Sequence, residues 1–395
     1  MNIIIAGKNN IAVDFLKYVL ELKNLNVFVI LNKTDNFKNS FQKSLGFYAR
    51  LWNVSIINLE NSYVIENAIF ISLEFDKLIK PSLFKTNAVF NIHFSKLPAY
   101  KGQYTSSWPI LNNEIESGVT LHKIDNGIDS GSIVDQYSFP INKNETARSL
   151  YLKYIEYGTK LIIKNLQNLI LNNYECNSQS HINSSFYGIK SINYSNLILD
   201  YNKTAFQISL QLRAFSFLEY QLPKYNNYEI HNFKILDSKS YLKSGKLISE
   251  NSKSFMISTI DYDMILFKSL YNDLWRFCRE NNLNELNKLL KTEIKIETKT
   301  REGWNALIIA AFNGSYDCVK LLLKFGANPN AVNTNGTTVL MYAKENAIKN
   351  NDTKLLDLLL KNGARLEDKD IYGKTVLCWL IDENEYLYNY LIQND

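Results

Sequence analysis

Short apolar runs alternate with amphipathic segments in the first hundred residues. Ile11, Phe15, Val19 and Leu22 recur at helical spacing and predict a helix after the first apolar run. Five runs have the length and composition of buried strands: Ile3–Ala6, Val27–Leu31, Val54–Ile57, Ala68–Ser72 and Ala88–Ile92. Strands that alternate with helices predict an α/β fold with a mainly parallel sheet. Ligands of such sheets bind at the carboxyl ends of the strands.

The pattern changes in the middle of the chain. Apolar positions at helical spacing predict one long helix over Glu145–Leu171 and a second helix over Ala205–Leu218. The segment between them, Cys176–Asn196, is polar and rich in turn residues. Alternating apolar and polar residues from Tyr228 to Phe267 predict a small β module.

A sequence repeat occupies the C-terminal part. Gly303-Trp304-Asn305-Ala306-Leu307 and Gly336-Thr337-Thr338-Val339-Leu340 open two units 33 positions apart. The units close on Gly326-Ala327 and Gly363-Ala364, with four extra residues inside the second, and Gly373 opens a truncated unit. This pattern resembles the ankyrin repeat, whose units stack because none can bury its apolar face alone.

The first and last units of the repeat region differ from the units between them. Leu274–Leu290 resembles a divergent first unit, and the polar residues Asp382, Glu383, Asn384 and Glu385 suit a capping unit. We therefore predict three domains: residues 1–200 as an α/β domain, 201–270 as a helix plus the β module, and 271–395 as repeats.

Composition excludes several classes of protein. The 395 residues are 46% hydrophobic and 21% charged, which is typical of a globular protein. The net charge of +5 is dispersed, with no run of five basic residues, so we expect neither a nucleic-acid partner nor a membrane partner. The start, MNIIIAGKNN, does not match a signal peptide, and the four Cys are scattered. We expect a cytoplasmic protein without a metal site.

Two motifs carry the candidate chemistry. Asn91-Ile92-His93-Phe94-Ser95-Lys96-Leu97-Pro98 lies at a strand end, and Gly127-Ile128-Asp129-Ser130-Gly131 follows it. Over roughly residues 1–245 the chain resembles the 10-formyltetrahydrofolate-dependent formyltransferases. The resemblance implies a Rossmann-like formyltransferase fold and formyl transfer to an amine. The single glycine at Gly7 does not match the three-glycine dinucleotide motif.

The resemblance assigns the catalytic roles to Asn91, His93 and Asp129. Attack of an amine on a formyl carbon creates an oxyanion, which an amide or imidazole N–H can stabilise. The nitrogen must then lose a proton, and an imidazole oriented by a carboxylate can accept it. We prefer His93 as the base, although acid and base roles stay open. Asp125 is the alternative carboxylate, and His122 is expected to be structural.

The resemblance also implies how 10-formyltetrahydrofolate binds. In the family, backbone groups before the catalytic Asn and before the catalytic Asp hold the pterin. The corresponding residues are Phe75, Asp76, Lys77, Gln103, Asp125, Asn126, Gly127 and Ile128. The alternative for Asp76 and Lys77 is an ordinary solvated loop.

The amine is predicted to belong to a sugar nucleotide. Ile5-Ala6-Gly7-Lys8-Asn9 resembles the sugar N-formyltransferases, and the ankyrin extension resembles enzymes acting on dTDP-3-amino-3,6-dideoxyhexoses for O-antigen synthesis. The hexose can be gluco (Qui3N) or galacto (Fuc3N). Candidate contacts are cations for the diphosphate and aromatic rings for the thymine: Lys77, Lys101, Arg213, Tyr104 and Tyr220.

Three further points stay open. A methionyl-tRNA formyltransferase would need a basic surface for phosphates, and a non-catalytic ankyrin scaffold is the rival from another class. Relatives imply a homodimer. Trp304 either binds a second ligand on the repeats or packs against the neighbouring unit.

Overall fold

A computed structural model describes residues 1–292, 294–381 and 383–393. Asp382, named above in the capping unit, lies outside the described residues. The chain divides into two compact units, Met1–Lys38 with Gln42–Lys268, and Asn39–Phe41 with Ser269–Asp395. None of the described helices is long and apolar enough to cross a bilayer.

The first unit contains fourteen strands and six helices among its described residues. Its strands are β1 Asn2–Gly7, β2 Asn26–Leu31, β3 Ser55–Ile56, β4 Ala68–Leu73, β5 Val89–His93, β6 Lys101–Gly102, β7 Glu116–Lys123, β8 Ile133–Pro140, β9 Phe186–Tyr187, β10 Lys224–Tyr225, β11 Tyr228–Lys239, β12 Leu247–Glu250, β13 Ser254–Ile257 and β14 Tyr262–Lys268. Its helices are α1 Asn9–Glu21, α2 Leu45–Leu51, α3 Leu59–Tyr63, α4 Trp108–Leu111, α5 Ala147–Ile170 and α6 Ala205–Ala214.

The predicted Rossmann-like sheet is confirmed. Seven strands follow the order β3-β2-β1-β4-β5-β7-β8. The pairs from β3 to β5 are parallel, whereas β7 runs antiparallel to both β5 and β8. The prediction of a buried strand over Val54–Ile57 was wrong, because β3 is a two-residue edge strand with exposed side chains. An edge strand has a neighbour on only one side.

Helix α5 covers the sheet. It begins one residue after Thr146, whose hydroxyl accepts from the Ser149 N–H in a reciprocal capping box, so the helix starts slightly later than predicted. A Cβ built on Gly158 would lie 3.0 Å from Ile11, 3.2 Å from Ile92 and 3.3 Å from Phe94. The glycine therefore lets the helix approach α1 and the sheet closely.

The predicted β module is an antiparallel sheet of order β10-β11-β14-β13-β12. Its interior includes Phe255, Ile257, Met264 and Leu266, none of which is exposed. Alternation on β14 places every second side chain on this buried face, as the sequence pattern predicted.

The second unit contains four helix pairs, as expected for ankyrin repeats. The pairs are α7 Tyr271–Arg279 with α8 Leu283–Leu290, α9 Ala306–Phe312 with α10 Tyr316–Lys324, α11 Val339–Asn350 with α12 Lys354–Lys361, and α13 Val376–Leu380 with α14 Glu385–Gln393. Gly303, Gly336 and Gly373 open three units with φ between 73° and 83°, which only glycine adopts easily. The longer second unit has the longer first helix, α11.

Substitution of Gly158 tests the close helix packing. We expect Gly158→Val to lower the free energy of unfolding by about 1–3 kcal/mol, because the added methyl groups meet three apolar side chains. Urea unfolding measures the change. Lys160→Val, on the exposed face of the same helix, is the control for helix propensity. Equal effects of the two substitutions would contradict the packing argument.

Candidate functional site

Two neighbouring strands bring polar side chains together at one end of the large sheet. Asn91 on β5 lies opposite Ser72 on β4 and opposite His122 on β7. His93 ends β5 two residues later, on the same face of the strand. The loop between β7 and β8 brings Asp129 to this end. The three predicted catalytic residues therefore converge although they come from separate motifs.

Asp129 is the centre of the cluster. Its Oδ2 accepts the Gly102 backbone N–H at 2.9 Å and lies 3.4 Å from Nδ1 of His93. Its Oδ1 lies 3.4 Å from the Asn91 amide nitrogen. Burial alone would raise the pKa of this carboxyl, but the rings of His93 and His122 in their protonated forms, together with the Gly102 N–H, hold that pKa well below its usual range. Asp129 is therefore a buried carboxylate that stays ionised.

The ring of His93 is held from both sides. Its Nε2 lies 2.8 Å from the Tyr100 backbone oxygen, which can only accept a hydrogen bond, so Nε2 carries a proton. In the neutral ring Nδ1 is then the proton acceptor, and it faces the carboxylate of Asp129. This arrangement suits a base whose protonated form the neighbouring carboxylate stabilises.

His122 joins the cluster, which sequence reasoning missed. It is buried, its Nδ1 lies 2.7 Å from the Lys123 backbone oxygen, and its Nε2 lies 3.1 Å from the Asn91 amide nitrogen. Donation from Nδ1 leaves Nε2 to accept a hydrogen from Asn91, which fixes the orientation of the amide. The sequence placed His122 on a strand, but only the antiparallel register opposite Asn91 shows the contact.

Gly102 supplies the backbone donor to Asp129. Its φ is 89°, and a Cβ there would lie 2.3 Å from the Tyr187 carbonyl oxygen. The short strand β6 pairs with β9 at this point, and Gln103 donates its backbone N–H to Tyr187. Any larger residue than glycine would displace the strand pair and the donor together.

A second polar cluster lies at the carboxyl ends of β1 and β4. Glu74 follows β4, and its carboxylate accepts from Asn9 at 3.1 Å and from the Tyr151 hydroxyl at 2.8 Å. Burial raises the pKa of Glu74, although Lys8 and these hydrogen bonds oppose the shift. The side-chain oxygen of Asn32 is buried without a hydrogen-bond partner. Such an unsatisfied acceptor needs an explanation, and a bound donor would supply one.

This switch-point cluster, meaning Asn9, Asn32, Glu74 and Tyr151, was also missed. After β1 the chain adds β2 and β3 on one side of the sheet, and from β4 onward it adds strands on the other side, so the strand order reverses between β1 and β4. Ligands of open α/β sheets bind at such a reversal. The parallel pairing of β4 with β5 extends to Leu73 opposite Ile92, and Glu74 and His93 are the residues that follow these two positions. The rule about strand ends pointed to the segment after Ser72, but not to Asn9 or Tyr151.

The predicted cofactor loop after β4 begins beside this cluster. Phe75 packs its ring on the apolar core, while Asp76 accepts the Lys33 backbone N–H at 2.9 Å. Lys77 is exposed. Asp76 is also exposed, and its hydrogen bond to Lys33 fixes the loop, which is compatible with recognition through backbone groups.

The loop before Asp129 has a similar organisation. Asp125 accepts from the Gly127 N–H at 3.0 Å and from the Ser130 hydroxyl at 2.8 Å. Its carboxylate therefore shapes the turn, and Asp129, not Asp125, joins the catalytic cluster. Asn126, Gly127 and Ile128 are exposed, with Ile128 presenting an apolar side chain next to Asp129.

The predicted contacts of the sugar nucleotide separate into two groups. Lys101 and Tyr104 flank Gly102, although the Tyr104 hydroxyl donates to the Ile189 carbonyl at 2.9 Å. Tyr220 is 43% exposed and packs one side against Phe217. Arg213 is not in this group, because it is buried and lines a separate cavity that none of Asn91, His93 and Asp129 reaches.

Trp304 in the second unit is half-buried. Its ring centroid lies 5.0 Å from that of Phe312 and 4.8 Å from that of Tyr342 in the following repeat. These contacts favour the packing alternative for this side chain, while part of the ring stays accessible.

Comparisons with known proteins agree with this geometry. A family model described as "Formyl transferase" matches residues 60–166, and one described as "Ankyrin repeats (3 copies)" matches residues 274–370. The solved structure of WlaRD, "a sugar 3N-formyl transferase in the presence of dTdp and 5-N-Formyl-THF", is 47% identical. Its match covers 68% of this chain and 97% of WlaRD, with a TM-score of 0.62.

Two other relatives define the range of similarity. An N-formyltransferase from Helicobacter canadensis, solved with folinic acid and dTDP-3-aminofucose, is also 47% identical over 68% of this chain and 99% of its own, with a TM-score of 0.62. Methionyl-tRNA formyltransferase from Fervidobacterium nodosum is 27% identical over 54% of this chain and 71% of its own length.

Acid unfolding tests the buried carboxylate. Because the pKa of Asp129 is lower in the folded protein than in the unfolded chain, its ionised form stabilises the fold above the unfolded pKa of about 3.9, and this stability is lost as the pH falls. Between about pH 6 and pH 3 we expect the wild type to lose about 1 kcal/mol more unfolding free energy than Asp129→Asn does. Urea unfolding at both pH values measures this. Parallel losses would contradict the assigned direction of the shift.

Proposed function

Because this chain belongs to the sugar N-formyltransferases, with formyltetrahydrofolate as the formyl donor, we propose that it formylates the 3-amino group of a dTDP-linked 3-amino-3,6-dideoxyhexose. The hexose is Qui3N or Fuc3N, and the product serves O-antigen synthesis. The observation that carries the proposal is the convergence of Asn91, His93 and Asp129 in a chain 47% identical to a sugar 3N-formyl transferase.

The donor fits the two loops that border the catalytic residues. A pterin edge needs backbone donors and acceptors, and Phe75, Asp76 and Lys77 follow β4 in a loop fixed by the contact of Asp76 with Lys33. Exposed apolar side chains at Leu78 and Ile128 can cover a flat ring. The donor, 10-formyltetrahydrofolate, supplies an electrophilic formyl carbon. Gln103 and residues 125–128 are proposed to complete its site.

His93 is proposed as the general base. When the amine nitrogen bonds to the formyl carbon it becomes an ammonium, and its proton passes to Nδ1 of His93. The protonated ring then donates Nε2–H to Tyr100 and Nδ1–H to Asp129, which lies 3.4 Å away before the reaction. Asp129 orients the ring and stabilises its charge. The same proton can return to the departing nitrogen as the new amide forms.

Asn91 is proposed to stabilise the oxyanion. Both hydrogens of its amide nitrogen face acceptors in the structure, Nε2 of His122 at 3.1 Å and Asp129 at 3.4 Å. The longer contact is the weaker one, so the hydrogen facing Asp129 is the one we expect to turn to the oxyanion. His122 keeps the other hydrogen and thereby positions the amide.

The switch-point cluster is proposed to hold the amino sugar. Glu74 and Asn9 follow the carboxyl ends of β4 and β1, and their side chains offer hydrogen-bonding groups for sugar hydroxyls. The amine must lie between this cluster and the formyl carbon for His93 to accept its proton. Lys77, Lys101, Tyr104 and Tyr220 remain proposed contacts of the nucleotide.

Four expectations from the sequence remain predictions. These are the homodimer, the cytoplasmic location, the lack of a nucleic-acid partner and a second ligand on the repeats. The match to WlaRD covers 97% of that chain and 68% of this one, which leaves part of this chain without a counterpart there. We therefore propose that the repeats adjust the reaction instead of performing it.

A substrate comparison tests the reaction. We expect release of tetrahydrofolate from 10-formyltetrahydrofolate with dTDP-Qui3N or dTDP-Fuc3N, and a formylated sugar by mass spectrometry. Charged initiator tRNA is the control, because the weaker similarity to methionyl-tRNA formyltransferase names it as the rival acceptor. Turnover with the tRNA and none with either sugar would refute the proposal. No turnover with any acceptor would favour a non-catalytic scaffold.

Substitution of the base tests the mechanism. We expect His93→Asn to lower kcat by at least about 100-fold while the protein stays folded, because proton transfer by a positioned group contributes about 10²–10⁴-fold. Steady-state kinetics and circular dichroism measure the two effects. His181→Asn makes the same change at an exposed position and should retain full activity. A kcat near that of the wild type in His93→Asn would overturn the assignment.

A further inference from the structure

A cavity of about 150 Å³ lies in the first unit, apart from the catalytic residues. Its walls come from the start of α5 at Thr146, from the end of α6 at Arg213 and Ser216, and from β11 at Asn232. It therefore lies where the β module meets the α/β domain. A cavity of this size has room for a small molecule or several waters.

The described residues that line the cavity carry positive charge and no negative charge. Arg213 is the one Arg or Lys among the described lining residues, and no Asp or Glu lines the cavity. The other polar side chains of the lining supply amide, hydroxyl and imidazole groups, on Asn144, Thr146, Ser216, His231 and Asn232. The positive end of the α5 dipole at Thr146 adds to the same field.

Arg213 is buried without an acidic partner in the described part of the chain. Its residue is 8% exposed, and its guanidinium donates from Nη1 to the Glu145 backbone oxygen at 3.1 Å. The carboxylate of Glu145 attracts the guanidinium electrostatically, but its ion pair is with Lys153. Burial lowers the pKa of the guanidinium, which shows the cost of keeping it charged there.

A buried charge needs a counter-charge. An isolated buried ion costs far more than a paired one, and a guanidinium has five N–H donors, of which the protein occupies one here. Water would solvate the remaining donors but would not neutralise the charge. A phosphate or carboxylate group can accept two parallel hydrogen bonds from the same guanidinium.

We propose that this cavity binds a small oxyanion, a phosphate or carboxylate group, on Arg213. None of Asn91, His93 and Asp129 lines this cavity, and in this proposal Arg213 binds the oxyanion instead of the substrate diphosphate that the sequence suggested. Since the cavity walls belong to α5, α6 and β11, the bound oxyanion ties the β module to the α/β domain.

Calorimetric titration and thermal unfolding of the full chain test the site, with sodium phosphate and sodium acetate added at constant ionic strength. We expect saturable binding of one oxyanion, with the unfolding midpoint raised by about 5 °C at saturation. The anion that binds more tightly shows whether the cavity prefers a phosphate group or a carboxylate group. No saturable binding of either anion would overturn the proposal.

Arg213→Met is the diagnostic variant. It should weaken oxyanion binding by at least about tenfold. In chloride alone its unfolding midpoint should equal or exceed that of the wild type, because removal of an uncompensated buried charge is neutral or stabilising. Ser216→Leu, which fills the cavity and keeps the guanidinium, should also lose binding. Lys143→Gln, an exposed charge change beside the cavity, is the matched control and should bind normally.

Competition with dTDP separates this site from the nucleotide site. We expect dTDP to bind wild type and Arg213→Met equally, and phosphate affinity to be unchanged by saturating dTDP. Displacement of phosphate by dTDP, with weaker dTDP binding in Arg213→Met, would place Arg213 in the substrate site and overturn the proposal. Equal phosphate affinity of the wild type, Arg213→Met and Ser216→Leu would also overturn the proposal.

Discussion

A buried carboxylate organises the catalytic end of this protein. Asp129 is 14% exposed and charged, and a charge in that position is tolerated only if several donors face it. The groups that face it come from separate parts of the chain: the Gly102 backbone N–H from β6 and the Asn91 amide from β5 donate to it, and the rings of His93 on β5 and His122 on β7 lie within 3.6 Å. The strand order and register must therefore be correct before this one group can be ionised and useful.

Several residues around the site have backbone conformations that are unfavourable for residues other than glycine. Among the described residues other than Gly and Asn, five have φ in the left-handed region, and four of them border the site: Glu74, Tyr100, Tyr104 and Asp129. Such conformations persist only where the surrounding contacts over-determine them. Tyr100 presents its carbonyl to His93, and Asp129 points its carboxylate at the Gly102 N–H, so the strain serves the geometry of the catalytic residues.

The carboxyl groups of Asp129 and Glu74 have pKa values that are shifted in opposite directions. The pKa of Asp129 is lowered by its histidine and backbone donors, whereas burial raises the pKa of Glu74. Environments that push two pKa values apart allow one group to stay charged while the other can gain a proton. The lowered pKa belongs to the carboxyl beside His93, and the raised pKa to the carboxyl at the switch point.

The sequence by itself determined the local and repetitive parts of this protein. Apolar runs located four of the five N-terminal strands, period-2 alternation located the β module, and the glycine spacing located the repeats, because each of these signals arises from neighbours along the chain. The motifs also named Asn91, His93 and Asp129. Only the tertiary structure decided what depends on pairing between distant segments. The antiparallel register of β5 with β7 brought His122 to Asn91, the strand reversal assembled Asn9 and Glu74, and packing buried Arg213 at a cavity that Asn91, His93 and Asp129 do not line. Register and burial are long-range properties: a shift of one residue in the pairing of β5 with β7 would turn His122 to the opposite face of the sheet, and no local pattern along the chain specifies that pairing.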